Sequence, residues 1–142
     1  LARLAEGRPG RARAMLGTDL LENRPLVLEE LRILKENGFA VVFRVADRLG
    51  TIGGDPATSL NTALLLLRDA LLVKMNMPGV LNTDLKEAIS DLAEGLTPDA
   101  LLAAADRMDS AVNELPRYYT PQARAHFLET LVVGMGRQFR QT

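Results

Sequence analysis

The stretch with the densest apolar patterning runs from Asp55 to Met77, between a start signal at Asp55-Pro56 and a stop signal at Met77-Pro78-Gly79. Leu60, Ala63, Leu64, Leu65, Leu66, Leu67, Ala70, Leu71, Leu72 and Val73 cover most of the girth of the helix that this spacing predicts. Asn61, Thr62, Arg68 and Asp69 form a narrow polar strip on it, and Lys74 stands apart. A helix apolar on so many sides must be enclosed by others. Because Arg68-Asp69 interrupts the run, it falls short of the roughly 20 apolar residues that a bilayer span needs. The expected neighbours are protein helices, with no membrane involved.

Other segments repeat the helical period. Leu1 to Glu6 reads as the end of a helix, Pro9 to Leu16 as a second, and Thr18-Asp19 as the cap of a short one through Leu20 and Leu21. Pro25 restarts the chain into a helix to Glu36, with Val27, Leu28, Leu31 and Leu34 inward and Glu29, Glu30, Arg32 and Lys35 around the other side. Phe39 to Leu49 is a further helix, followed by a flexible glycine-rich link from Gly50 to Gly54. Asn82-Thr83-Asp84 reads as a cap for Leu85 to Glu94, and Thr97-Pro98 and Thr120-Pro121 open the last two helices. No convincing period-2 alternation occurs, so the expected class is all-α.

The final helix carries apolar residues on two sides: Phe127, Leu131 and Gly134 on one, Ala125, Leu128, Val132 and Met135 on the other. Two explanations fit. Either the helix is inserted deeply within one chain, or its second face meets another chain.

The composition narrows the chemistry. At 142 residues, 47% hydrophobic and 25% charged, with a net charge of -1, the chain is sized and balanced as one globular domain without global attraction to nucleic acid. It has no cysteine and a single histidine, His126, so a thiolate or histidine metal centre is not expected, and a cytoplasmic location is. No Gly-rich nucleotide loop or secretion signal is present. His126 and the carboxylates Asp106, Asp109 and Glu114 read as solvated helix faces, and Tyr118-Tyr119 as packing at helix ends. No catalytic residue is assigned. Arg68 and Asp69 are expected to bond to a neighbouring helix or lie on the exposed strip, or else to bond across a subunit boundary. The turn at Gly7, Arg8, Gly10 and Arg11, with arginines around a helix start, is the best candidate for contact with an anion such as a nucleotide phosphate. The start at Leu1 suggests a piece of something longer.

Leu-Ala-Glu-Gly-Arg-Pro-Gly-Arg-Ala-Arg (residues 4 to 13), Leu-Leu-Leu-Leu-Arg-Asp-Ala-Leu-Leu (64 to 72) and Val-Leu-Asn (80 to 82), followed by a final helix pair, resemble the C-terminal part of bacterial DNA polymerase III clamp-loader subunits, most closely those of delta-prime type. The resemblance implies that residues 1–17 end an AAA+ lid with a sensor-2-like turn, and that 18–142 form a helical collar joining subunits into a ring. Active gamma or tau subunits carry a nucleotide-sensing arginine in Gly-Ser-x-Arg-Asp-Ala-Leu. Here that position is Gly10, with Arg11 next, which favours the subunit lacking ATPase activity and implies no cofactor in this piece. Implied partners are gamma or tau and delta through the collar, and the sliding clamp and primed DNA through the whole complex. The interface residues expected are Arg68, Asp69, Phe127, Leu128, Leu131, Val132 and Met135. An ATPase-active gamma or tau fragment and an unrelated helical adaptor with a peptide groove remain as alternatives.

Overall fold

Asp55, Thr97 and Thr120 each precede a proline, and each uses its side chain to close the first turn of the helix that follows. Asp55 Oδ1 accepts from the Ala57 amide at 3.1 Å, Thr97 Oγ1 from Ala100 at 3.0 Å and Thr120 Oγ1 from Ala123 at 3.1 Å. The prolines sit where the missing N–H costs nothing. In the computed structural model, which describes residues 18–140, these caps open three of the helices: α3 (Pro56–Lys74), α5 (Pro98–Glu114) and α6 (Pro121–Arg140). The others are α1 (Thr18–Asn37), α2 (Val42–Thr51) and α4 (Lys86–Ala93), with 3-10 turns at Gly38–Val41, Ile52–Gly54, Thr83–Leu85 and Leu115–Arg117. No strand occurs among the described residues. Residues 1–17, expected from the resemblance to end a lid and carrying Gly7, Arg8, Gly10 and Arg11, lie outside them.

α3 is the central element, packed against α1, α2, α4 and α5. Leu60, Ala63, Leu66, Leu67 and Ala70 are fully buried along it. Each leucine so enclosed contributes roughly 1.5–3 kcal/mol relative to leaving it in water. The helix is therefore held by its neighbours more than by its own propensity.

Several boundaries differ from the sequence expectation: the helix expected over Phe39 to Leu49 begins as the 3-10 turn Gly38–Val41, and α2 runs through Gly50 to Thr51, into the expected glycine link. α1 is one continuous helix across Pro25, where a restart was expected. Proline has a helical φ and removes a single i→i−4 bond, at about 3 kcal/mol. Val27, Leu28, Leu31 and Leu34, all buried just beyond it, hold the helix on course. Asn82 caps no helix with its side chain, and a 3-10 turn at Thr83–Leu85 precedes α4.

The two apolar sides of α6 are both taken up within the chain. Leu128 reaches Gly50 of α2, while Gly136 lies against Leu34 and Phe39. On the other side the Arg107 guanidinium of α5 lies directly on Gly134, where an added methyl group would collide with it. Leu128, Leu131, Val132 and Met135, named from sequence as partner-interface residues, are buried within this chain at 0–5% exposure, as the alternative of a deeply inserted helix has it. Of the α6 residues expected at an interface, only Phe127 is half-buried, stacked on Tyr118 with ring centroids 4.5 Å apart.

Candidate protein interface at the end of α3

Adjacent residues of a helix point about 100° apart, and Arg68 and Asp69 show what that angle does. Asp69 faces inward at 1% exposure and Arg68 faces out. Of the readings for this pair, a neighbouring helix, the exposed strip or a subunit boundary, Asp69 follows none: it bonds within the chain to the loop after its own helix. Its carboxylate is fully engaged by the loop after α3: Oδ1 accepts from the Leu81 amide at 3.0 Å, and Oδ2 from the Asn82 amide at 2.9 Å and from Asn82 Nδ2 at 2.7 Å. Three donors replace the water this carboxylate gives up, so its burial is stabilising.

The loop is then tied outward. Asn82 Oδ1 accepts from Arg24 Nη1 at 2.8 Å, and the same guanidinium binds both oxygens of Asp84 at 3.0 and 2.7 Å. Its hydrogen bonds, with its positive charge, hold the Asp84 carboxyl below the ordinary value. The turn itself needs left-handed backbone at Asn76 (φ 54°) and Gly79 (φ 106°). Asparagine and glycine are the residues that adopt it most readily.

This fixed loop displays Met75, Met77 and Leu81, between 42% and 51% exposed. Lys74 Nζ bonds the Ala93 carbonyl just before α5 begins, whereas Arg68 approaches Asp109 further along it, so α3 and α5 run antiparallel. Leu102 of α5 is also exposed, at 48%. Eight large apolar side chains are exposed among the described residues, and three of them, Met75, Met77 and Leu81, lie in this short stretch after α3. Single exposed leucines are ordinary on any protein, but a gathered group is a candidate contact surface. Arg68 borders it. At 54% side-chain exposure and 4.0 Å from an equally exposed Asp109, its guanidinium is only loosely engaged within the chain and free to take a partner's acceptor.

Elsewhere, His126 and Tyr119 are exposed, the latter at 82%. Among the described residues no group of histidine and carboxylate side chains is placed to hold a metal ion, and no helix is long and apolar enough to cross a membrane. Glu30, assigned from sequence to the polar side of its helix, is buried at 3% exposure, with Arg44 and Arg48 of α2 at 3.8 and 3.9 Å. Its position three residues after Val27 and four before Leu34 is the signal that could have placed it on the inner stripe. Comparison with protein-family models, curated proteins and solved structures returned no match to this chain.

Proposed function

We propose that this chain is an assembly domain, a helical collar that joins sister subunits of a bacterial clamp loader of the DNA polymerase III type. In this role it acts by packing and carries no catalysis of its own. Neighbouring subunits hydrolyse ATP and place sliding clamps on primed DNA, while the collar keeps the ring together. The observation that supports this reading is the apolar group at the end of α3, set on a loop that Asp69 holds in one shape. A preorganised surface loses little entropy on binding, so more of its contact energy appears as affinity. Arg68, beside it, supplies a directional polar contact at the rim.

The test is size-exclusion chromatography of the chain with gamma and delta collars. Co-elution is the expected result, and the double variant Met75→Asp, Met77→Asp should weaken association by roughly 10- to 100-fold, the range for losing central apolar contacts. Arg68→Ala should have a smaller effect. Failure to co-elute under conditions where intact subunits assemble would remove the proposal, as would a double variant that assembles normally.

A further inference from the structure

α2 and α6 lie side by side in opposite directions. Gly50 of α2 meets Leu128 early in α6, while Phe39, just before α2, meets Gly136 near the end of α6. Between the two helices runs a groove of about 470 Å³ with Ala46, Gly50 and Leu128 as its floor. Gly54 and Pro121 line one end of it, and Phe43, 73% exposed, the other.

Its walls are mostly acidic. Asp47 of α2 and Glu129 of α6 face each other across the floor, and neither forms an ion pair with a described residue. Arg124, the cation on these walls, turns its Nε to the Tyr118 carbonyl at 2.8 Å. Arg44 and Arg48 leave α2 on its other side, toward Glu30 of α1. Two acids thus stand against one arginine along the groove.

The chain brings a basic segment to the Gly54 end. α1 begins at Thr18, and its Asn23 lies against Gly53, the neighbour of Gly54. Thr18 is therefore only about 7.5 Å further along α1, at 1.5 Å per residue. The 17 residues before it carry Arg3, Arg8, Arg11 and Arg13 against the single acid Glu6. Ala14 to Gly17 can span about 13 Å, enough to return from Thr18 to Gly54. The six residues before them can span about 20 Å, more than the roughly 12 Å that separates Thr51 from Phe43 on α2.

We propose that residues Arg8 to Arg13 of this same chain occupy the groove. Arg13 and Arg11 pair with Asp47 and Glu129, and Pro9 covers the Phe43 ring. Reach and charge both favour this occupant, and a tethered segment is held by contacts too weak to retain a free peptide, because its local concentration is millimolar or so. The arginines read from sequence as a phosphate contact thereby meet carboxylates of their own chain. The groove is separate from the apolar end of α3, and the inference does not depend on the clamp-loader proposal.

Because the chain has no cysteine, Ala12→Cys gives a single attachment point for a nitroxide spin label on the full chain. Amide spectra should then show strong broadening at Asp47, Gly50, Ala125 and Glu129, with Ala93 of α4 unaffected. The double variant Asp47→Lys, Glu129→Lys should restore most of the lost intensity, and its melting temperature reports that the fold is intact. Without any label, Arg11→Glu with Arg13→Glu should shift the same groove amides. A mixture of spin-labelled chain with isotope-labelled, label-free chain should show no broadening. Broadening in that mixture would make a second copy the occupant and overturn the proposal. So would an absence of broadening on α2 and α6, broadening spread evenly over the chain, or broadening that survives the charge reversal.

Discussion

Two carboxylates are buried among the described residues, and they are treated in opposite ways. Asp69, on α3, meets three donors that the following loop aims at it. Glu30, on α1, has one oxygen with no hydrogen-bond partner and two arginines that come no closer than 3.8 Å to the other. Burial pushes its carboxyl above the ordinary value of 4.5, against the opposing pull of Arg44 and Arg48. The difference is backbone. A loop can deliver amides in a fixed geometry, whereas Arg44 and Arg48 leave their guanidiniums half in water and too far to compensate a desolvated oxygen.

The strongest way to break the contrast is Asp69→Ala, which strands two loop amides and the Asn82 side chain. It should destabilise the chain by about 2–4 kcal/mol in urea denaturation, from leaving buried neutral donors unsatisfied at about 1–3 kcal/mol each with partial relaxation. It should also loosen Met75, Met77 and Leu81, and with them any association that uses that end. Asn82→Ala keeps the carboxylate and its two amide donors but removes the link to Arg24, so a loss of about 1–3 kcal/mol is expected. Glu30→Gln goes the other way. Because the folded pKa lies above the unfolded one, the glutamate imposes no penalty below about pH 4.5 and an increasing one as pH rises through its folded value. The neutral variant should therefore be more stable near pH 7, by about 1 kcal/mol or less, and its stability should fall less steeply than the parent's as pH rises from 4.5. A steeper fall, or a less stable variant at pH 7, would show that Glu30 is a well-paired anion after all.

These two residues also mark what the sequence could and could not convey. The caps at Asp55, Thr97 and Thr120 were legible because a cap needs only its own residue and the next turn. The enclosure of α3 was legible because leucines on most of its circumference leave no other outcome. Asp69's partners were not, since the loop's return from Gly79 to Asn82 depends on positive φ values that periodicity does not encode. Continuity of α1 through Pro25 was hidden for a related reason: local propensity argues for a break, and only the packing beyond it decides. Tertiary cover was likewise invisible on α6, where the same two-sided pattern suits either a subunit boundary or an inner position. Its Gly50, Gly134 and Gly136 contacts resolve the pattern in favour of the chain's own helices.

Lys35 near the end of α1 has a wider reach than its single charge suggests. Its ammonium donates to the carbonyls of Asp91, Leu92 and Glu94 at 2.8, 3.1 and 3.0 Å, closing the C-terminal turn of a helix that is only 8 residues long. So short a helix is too brief to persist alone. α1 and α4 should accordingly open together as one cooperative unit, and the slowest amide hydrogens of α4 should exchange at the rate of those in α1.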